Sequence, residues 1–414
     1  MRRISSQMNN NDTQYRLRQQ EIELAKKQAQ IGGQNKITSL RDDPVAAGHL
    51  VRYESYLNRV NQFEKNAQTV AEQVEVREGY IDSNLQIMQR VRELAVTGAN
   101  GIYTKEDLKD MSTEVDELLK QLVANANATG VDGKSLFAGT KTDAPAFEVV
   151  MGSIPESNEA VITQVKYNGN ISSNAVEVDE NSYIELNNSG NKTFWAEENI
   201  LINQKDLSRW TSLEDSEFEI DGFKISVNKG DNIWTVANKI NESGANVKAT
   251  IDQMTGGLSL RTTDSHQIWL EDTKGSTLAG IGMIQGVGHL PPYNIGPNVV
   301  SSGASLFDTV IALRDAMLKG DTEAIGSRIL GSIDKGMNNL TTRLSKVGSE
   351  YEVAMASVQK AETNKLNTTE SISREGDVDM TQAVTDMKML QYVNQATMST
   401  AGKMYSSTLL DYMR

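Results

Sequence analysis

The 414-residue chain has no cysteine, which excludes both a disulfide framework and thiolate chemistry. Aromatic residues amount to only 6% and hydrophobic residues to 38%, so little volume per residue is available for burial. Long, thin elements suit that composition better than one large globule, and the length calls for two or more domains. A Lys/Arg surplus is also missing. The formal net charge of −14 argues against partners with phosphate backbones and against an anionic membrane surface. No run approaches the roughly 20 apolar residues of a membrane span. The opening Met1-Arg2-Arg3-Ile4 leads into the polar run Ser5–Thr13, without the apolar stretch and cleavage site of a secretory signal. Composition alone reads as a soluble, reduced, cytoplasmic protein, unless the chain leaves the cell by a route that needs no cleaved signal. The only histidines, His49, His266 and His289, are scattered and form no HExxH pattern. Gly280, Gly282 and Gly286 have the wrong spacing for a dinucleotide loop. No catalytic, cofactor-binding or metal-ligating residue is therefore expected, and the reading is of a protein that is not an enzyme.

What the chain does have is helical periodicity at both ends. Asp42-Asp43-Pro44 marks a helix start, since Asp caps exposed amides and proline tolerates the first helical position. No further proline occurs before Gly98. Apolar residues recur every seven at Val60, Ala67, Val74, Ile81, Met88 and Ala95. A second row through Phe63, Val70 and Val91 is interrupted by Arg77 and Asn84. At 1.5 Å per residue such a helix reaches roughly 80 Å, which is a rod rather than a compact domain. Thr104 with Asp107 reads as a capping box for a further helix. Toward the other end, Leu330, Ile333, Met337, Leu340, Leu344, Val347, Tyr351, Ala354, Val358 and Ala361 keep three-four spacing. A last helix from about Asp379 to Leu410 presents Ala383, Met387, Leu390, Ala401 and Met404. Both ends are apolar stripes in need of partners, and pairing them in one bundle buries both.

Between them, roughly 135–300, Gly, Asn, Ser and Thr increase and short alternating runs replace heptads. Val161–Tyr167, Val176-Glu177-Val178 and Tyr183–Leu186 read as strands. Phe218-Glu219-Ile220, the turn Asp221-Gly222 and Phe223–Val227 form a hairpin signal. Gly230-Asp231 opens a short helix, and Val247–Ile251 with Leu258–Leu260 forms a second hairpin, giving a ββαββ unit. Phe194-Trp195, Trp210, Trp234 and Trp269 read as anchors of small β-rich cores. The fold class expected is mainly α with an α+β insert: a long coiled-coil helical rod from both chain ends and small β-rich middle domains. Expected segments are a mobile N-terminal stretch 1–41, rod halves 42–134 and 301–372, a β-rich region 135–210, the ββαββ module 211–300 and a C-terminal assembly helix 373–414.

Several of these landmarks resemble the bacterial flagellin and hook-associated protein family. Arg41-Asp42-Asp43-Pro44-Val45-Ala46-Ala47 is similar to the Asp-Asp-Pro-Ala motif that opens the family's first rod helix. Arg92-Glu93-Leu94-Ala95, Ala99-Asn100-Gly101 and Leu136–Thr142 resemble its next landmarks, and Phe218–Leu260 its inserted repeat. Tyr167-Asn168-Gly169 and Asn187–Gly190 resemble its outer domain, and Asp377–Ala383, Gln395-Ala396 and Leu409-Leu410 its closing helix. One departure is Gln34-Asn35-Lys36 where the family has Gly-Lys-Arg, with the glycines earlier at Gly32-Gly33.

Ile4–Met8 and Leu409–Met413 are more similar to the subunits that join hook to filament than to filament flagellin. The resemblance implies a structural adaptor, exported unfolded through the flagellar secretion apparatus with a chaperone. It would self-associate in a ring between a hook-side junction protein and flagellin, without nucleic acid, cofactor or membrane insertion. The localisation implied is the flagellum, extracellular or periplasmic. Implied assembly residues are Ile4, Met8, Asp42, Asp43, Pro44, Leu390, Gln395, Ala401, Met404, Leu409 and Leu410. The rod core expected from the heptads is Val60, Phe63, Val74, Ile81, Met88, Leu340, Val347 and Tyr351. Filament flagellin is the nearest alternative. A coiled-coil signalling protein and a secreted metallopeptidase are the rivals from other classes.

Overall fold

A computed structural model describes residues 2–130, 132–154, 160–286 and 289–410, with the side chains of all but 2–7, 9, 10 and 404–410. Residues fall into two units, Met1–Lys65 with Ser357–Arg414, and Asn66–Ala356. The chain opens with helices α1 (Arg2–Gly33), α2 (Pro44–Ala99) and α3 (Lys105–Ala126). Strands β1 (Phe147–Gly152), β2 (Val161–Tyr167), β3 (Ala175–Asp179) and β4 (Ser182–Glu185) follow, then the short α4 (Gly190–Thr193). Next come β5 (Ile200–Asn203), β6 (Ser216–Ile220), β7 (Phe223–Val227), α5 (Ile233–Glu242), β8 (Val247–Ile251) and β9 (Leu258–Thr262). After β10 (Leu270–Lys274), α6 (Thr277–Ile281) and β11 (Val299–Ser302), the chain returns to helix. It continues through α7 (Leu306–Lys319), α8 (Thr322–Ala324), a π-helical turn (Ile325–Ile329), α9 (Leu330–Gly376) and α10 (Met380–Leu410). The class is the one expected, mainly helical with small antiparallel sheets in the middle.

Local chemistry accounts for the helix starts. Asp43 Oδ1 accepts from the amides of Val45 (3.1 Å) and Ala46 (3.0 Å), and Pro44 takes the first helical position of α2. Both reciprocal bonds of the Thr104/Asp107 capping box are present at α3, and Ser305 with Asp308 repeats the device at α7. The start of α5 differs from expectation: Asn232, not Gly230-Asp231, accepts from the Thr235 amide. Asp231 instead receives the Lys239 ammonium at 2.6 Å. The stretch 1–41, for which the sequence supplied no element, contains α1.

The middle strands build antiparallel sheets: β1 with β2, β3 with β4, β10-β6-β7 and β11-β5-β9-β8. The β6–β7 turn places Asp221 at φ 51° and Gly222 at φ 85°, the left-handed pair that a two-residue type I′ hairpin requires. The two hairpins of the ββαββ unit do not pair with each other. Each recruits outside strands, β10 for the first, β5 and β11 for the second. Between the sheets lies a core that includes Phe218, Ile225, Val236, Ile240, Leu258, Leu260 and Leu278. A second core is aromatic: Phe147, Phe194 and Phe307 contact one another with centroids 4.9–5.7 Å apart, and Phe137 and Tyr167 flank them. Trp269 is buried, whereas Trp234 is 47% exposed on α5 and anchors no core.

Candidate assembly interface

In the first unit α1 packs on α10. Small residues allow the approach: Ala383 and Ala401 of α10 are buried, as is Gln30 of α1. Lys27 of α1 pairs with Asp386 of α10 at 3.0 Å. The pair leaves much of its apolar surface in the open. On α1, Met8, Tyr15 and Ile22, seven residues apart, are 71%, 64% and 56% exposed. On α10, Met389, Tyr392, Val393 and Met398 are exposed, Leu390 is half-buried and Gln395 is exposed. The side chains of Ile4, Met404, Leu409 and Leu410 lie outside the described residues.

The connections α1–α2 and α9–α10 are zipped to each other. The Lys36 amide donates to Gly376 O (2.6 Å) and the Val378 amide to Gln34 O (3.1 Å). Gln34 takes φ 58° there, a left-handed turn position filled by a polar residue. The paired carboxylates have separate tasks. Asp43 caps α2, and Asp42 closes the preceding turn, accepting from Thr38 N and Oγ1 and Ser39 N while Lys26 of α1 donates at 2.7 Å. The Lys26 ammonium, with help from Thr38, holds the exposed Asp42 carboxyl down to about 2.

Helices α2 and α9 run antiparallel within each unit. His49 faces Glu375 and Glu64 faces Lys365 in the first; Arg77 faces Glu350 and Arg92 faces Asp334 in the second. Val60, Val74, Ile81, Met88, Leu340 and Val347 are buried, and Phe63 and Tyr351 half-buried. Arg77 and Asn84, which interrupt the second row in sequence, do not break the seam by facing solvent; both are buried within it. Arg77 donates to Leu186 O (3.2 Å) and lies 3.5 Å from Glu350, and burial pushes its value down. Asn84 has neither amide atom hydrogen-bonded among the described residues.

Sequence reasoning missed His266. It is fully buried, with a carboxylate against each ring nitrogen: Asp221 2.8 Å from Nε2 and Asp264 2.7 Å from Nδ1. Burial alone lowers the ring's value, but Asp221 and then Asp264 outweigh it and raise it to about 9. No local signal announces this, because Asp221 is 45 positions away in the chain. Among the described residues no group of three or more His, Cys, Asp or Glu is placed to hold a metal, and no helix is long and apolar enough to cross a membrane.

Comparison with known proteins gives matches in three segments. The bacterial flagellin N-terminal helical region matches residues 4–142, the flagellin hook IN motif 214–264, and the bacterial flagellin C-terminal helical region 330–413. The flagellar filament 31.3 kDa core protein of Treponema maltophilum is 31% identical over 130 residues, 31% of this chain and 46% of that protein. Flagellar hook-associated protein 3 of Salmonella typhimurium is 26% identical over 163 residues, 39% of this chain and 51% of that protein. The chain thus spans about half the length of the curated relatives it matches. Among solved structures, the flagellar junction protein FlgL of Legionella pneumophila aligns with a TM-score of 0.46 at 15% identity, over 80% of this chain and 100% of that one. Since the family's two helical regions and its inserted motif all occur here, in order and on the helices and strands just described, the chain belongs to the bacterial flagellin and hook-associated protein family.

Proposed function

We propose that this chain is a structural, non-enzymatic subunit of the bacterial flagellum that joins hook to filament. The observation that carries this reading is the α1/α10 pair, with its uncovered seven-residue row Met8, Tyr15 and Ile22 and the exposed Met389, Tyr392 and Val393. Covering such side chains is worth about 1.5–3 kcal/mol each, so the pair gains most when neighbouring subunits close around it. Further copies in a ring would cover its flanks, with the hook-side junction protein and flagellin at its two ends. Export as an unfolded chain through the flagellar secretion apparatus fits a protein without cysteine, whose terminal helices reform through local contacts. A chaperone would shield the apolar row beforehand. Relatives that include a hook-associated protein support the junction role.

Relatives named as filament core proteins favour a second reading, a filament subunit that polymerises without limit. Labelled antibody on isolated flagella separates the two. A single band at the hook–filament boundary is expected, and label along the filament would establish the second reading. Deleting residues after Thr397 should leave a folded insert but release flagellin into the medium. Normal filaments on cells expressing only the truncated chain would refute the assembly role of α10.

A further inference from the structure

The loop between β9 and β10 buries His266 completely. A neutral imidazole offers one N–H and one lone pair. With Asp221 Oδ2 at 2.8 Å from Nε2 and Asp264 Oδ1 at 2.7 Å from Nδ1, a neutral ring would turn its lone pair on a carboxylate. The arrangement fits an imidazolium. Its Nε2 contact is a hydrogen bond, while the Nδ1 contact is an ion pair by distance without hydrogen-bond alignment. Each carboxylate is also held from its far side. Asp221 Oδ1 accepts from the Trp269 amide at 2.9 Å, and Asp264 Oδ2 receives Arg343 Nη2 at 3.2 Å. Asp221 belongs to the β6–β7 turn and Arg343 to α9. The series Asp221, His266, Asp264, Arg343 therefore alternates in sign from the insert's hairpin to the rod helix.

None of these four residues is part of the apolar core between the insert's two sheets. Elsewhere on α9, Asn339 and Ser332 hold the 192–197 segment, not the insert: Asn339 donates to Lys192 O and Trp195 O, and Ser332 to Glu197 at 2.5 Å. The cleft beside Asp264 and Arg343 adds the charges of Lys192, Glu185 and Lys346. The segment around 192–197 is tied in turn to the histidine's own loop: Asn191 exchanges two hydrogen bonds with Gln267, and Ser265 donates to Ala196 O at 3.1 Å. The charge series is thus the direct attachment of the insert to α9, beside this indirect one. We propose that His266 is a charged pin that fixes the orientation of the β6–α6 insert against α9, a positioning residue whose ion pairs also add to the insert's stability. Its partner is the rod helix of the same chain, reached through Asp264 and Arg343, and the inference stands whichever flagellar role the chain has.

The chain's lack of cysteine makes the test direct. Spin labels at Thr250→Cys on β8 and Ser349→Cys on α9, both exposed positions, report the insert-to-rod distance. A pair at Lys224→Cys and Thr250→Cys reports the insert's own fold. Near neutral pH the insert-to-rod pair should give one narrow distance peak in the chain with His266 intact. That peak should broaden or shift in His266→Gln, in Arg343→Gln, and in the intact chain titrated above the histidine's raised value, while the intra-insert pair stays narrow. If His266→Gln disturbs the intra-insert pair, Arg343→Gln decides, because it removes only the α9 end of the series. An unchanged insert-to-rod peak in Arg343→Gln, or in a folded His266→Gln, overturns the proposal.

Discussion

Replacing Asn84 by leucine should stabilise the second unit's helical seam. Asn84 is fully buried in α2 and neither its Oδ1 nor its Nδ2 has a hydrogen-bond partner among the described residues. An amide buried in that state costs about 1–3 kcal/mol, and the substitution removes that cost. Leucine keeps the branching at Cγ and adds apolar burial of about 1.5–3 kcal/mol. Its larger volume brings packing strain of about 1–3 kcal/mol. At the midpoints of these ranges the net gain is about 2 kcal/mol, read as a higher melting temperature. Helical circular dichroism through a thermal and a urea melt measures it. Asn84→Ala, which deletes the amide without adding bulk, is the control and should lie between the two. If both variants melt below the native chain, a buried water or other partner satisfies the amide and the reasoning fails. A stabilised seam should also slow secretion under the proposed function, since an exported chain has to unfold first.

The stability of the insert should fall as the solution turns alkaline. His266 is raised in the fold, from 6.5 to about 9, so its contribution is complete below 6.5 and disappears as pH rises through about 9. The difference is worth about 3 kcal/mol. Urea midpoints across that window should show the slope in the native chain and not in His266→Gln; equal slopes would discount the ion pairs. Gly257→Ala should destabilise the insert by about 2 kcal/mol or more, because an added Cβ collides with the Asn203 carbonyl oxygen on β5. Gly331→Ala, where an added Cβ meets open space on α9, should be neutral or gain up to about 1 kcal/mol; equal losses in the two melts would refute the steric account.

Much of the architecture was legible because it depends on near neighbours. The seven-residue row from Val60 to Ala95 is buried throughout, since a helix's repeat alone decides which side chains share a face. The Asp43-Pro44 start, the Thr104 capping box and the Asp221-Gly222 turn are likewise set within four residues. Polar residues were harder to place. Periodicity marks Arg77 and Asn84 as interruptions, but whether an interruption faces solvent or is drawn inside depends on the neighbouring surfaces, and for Arg77 these are Leu186 and Glu350. The carboxylate pair Asp42-Asp43 read as one helix cap, while Lys26, presented by a different helix, gives Asp42 a second task.

Strand existence, too, was local and strand partnership was not. The ββαββ pattern appears as five elements in order, yet its hairpins separate into two sheets because β5, β10 and β11 complete them from outside. Pairing is decided by which edges the folded chain brings together, and alternation within a strand carries no record of that. The same holds for His266, whose charge state comes from carboxylates on a distant turn and on its own loop. Residue type and spacing determined the long helices, the caps and the turns; the tertiary structure alone decided which buried charges meet, because those contacts join segments that are far apart in the chain.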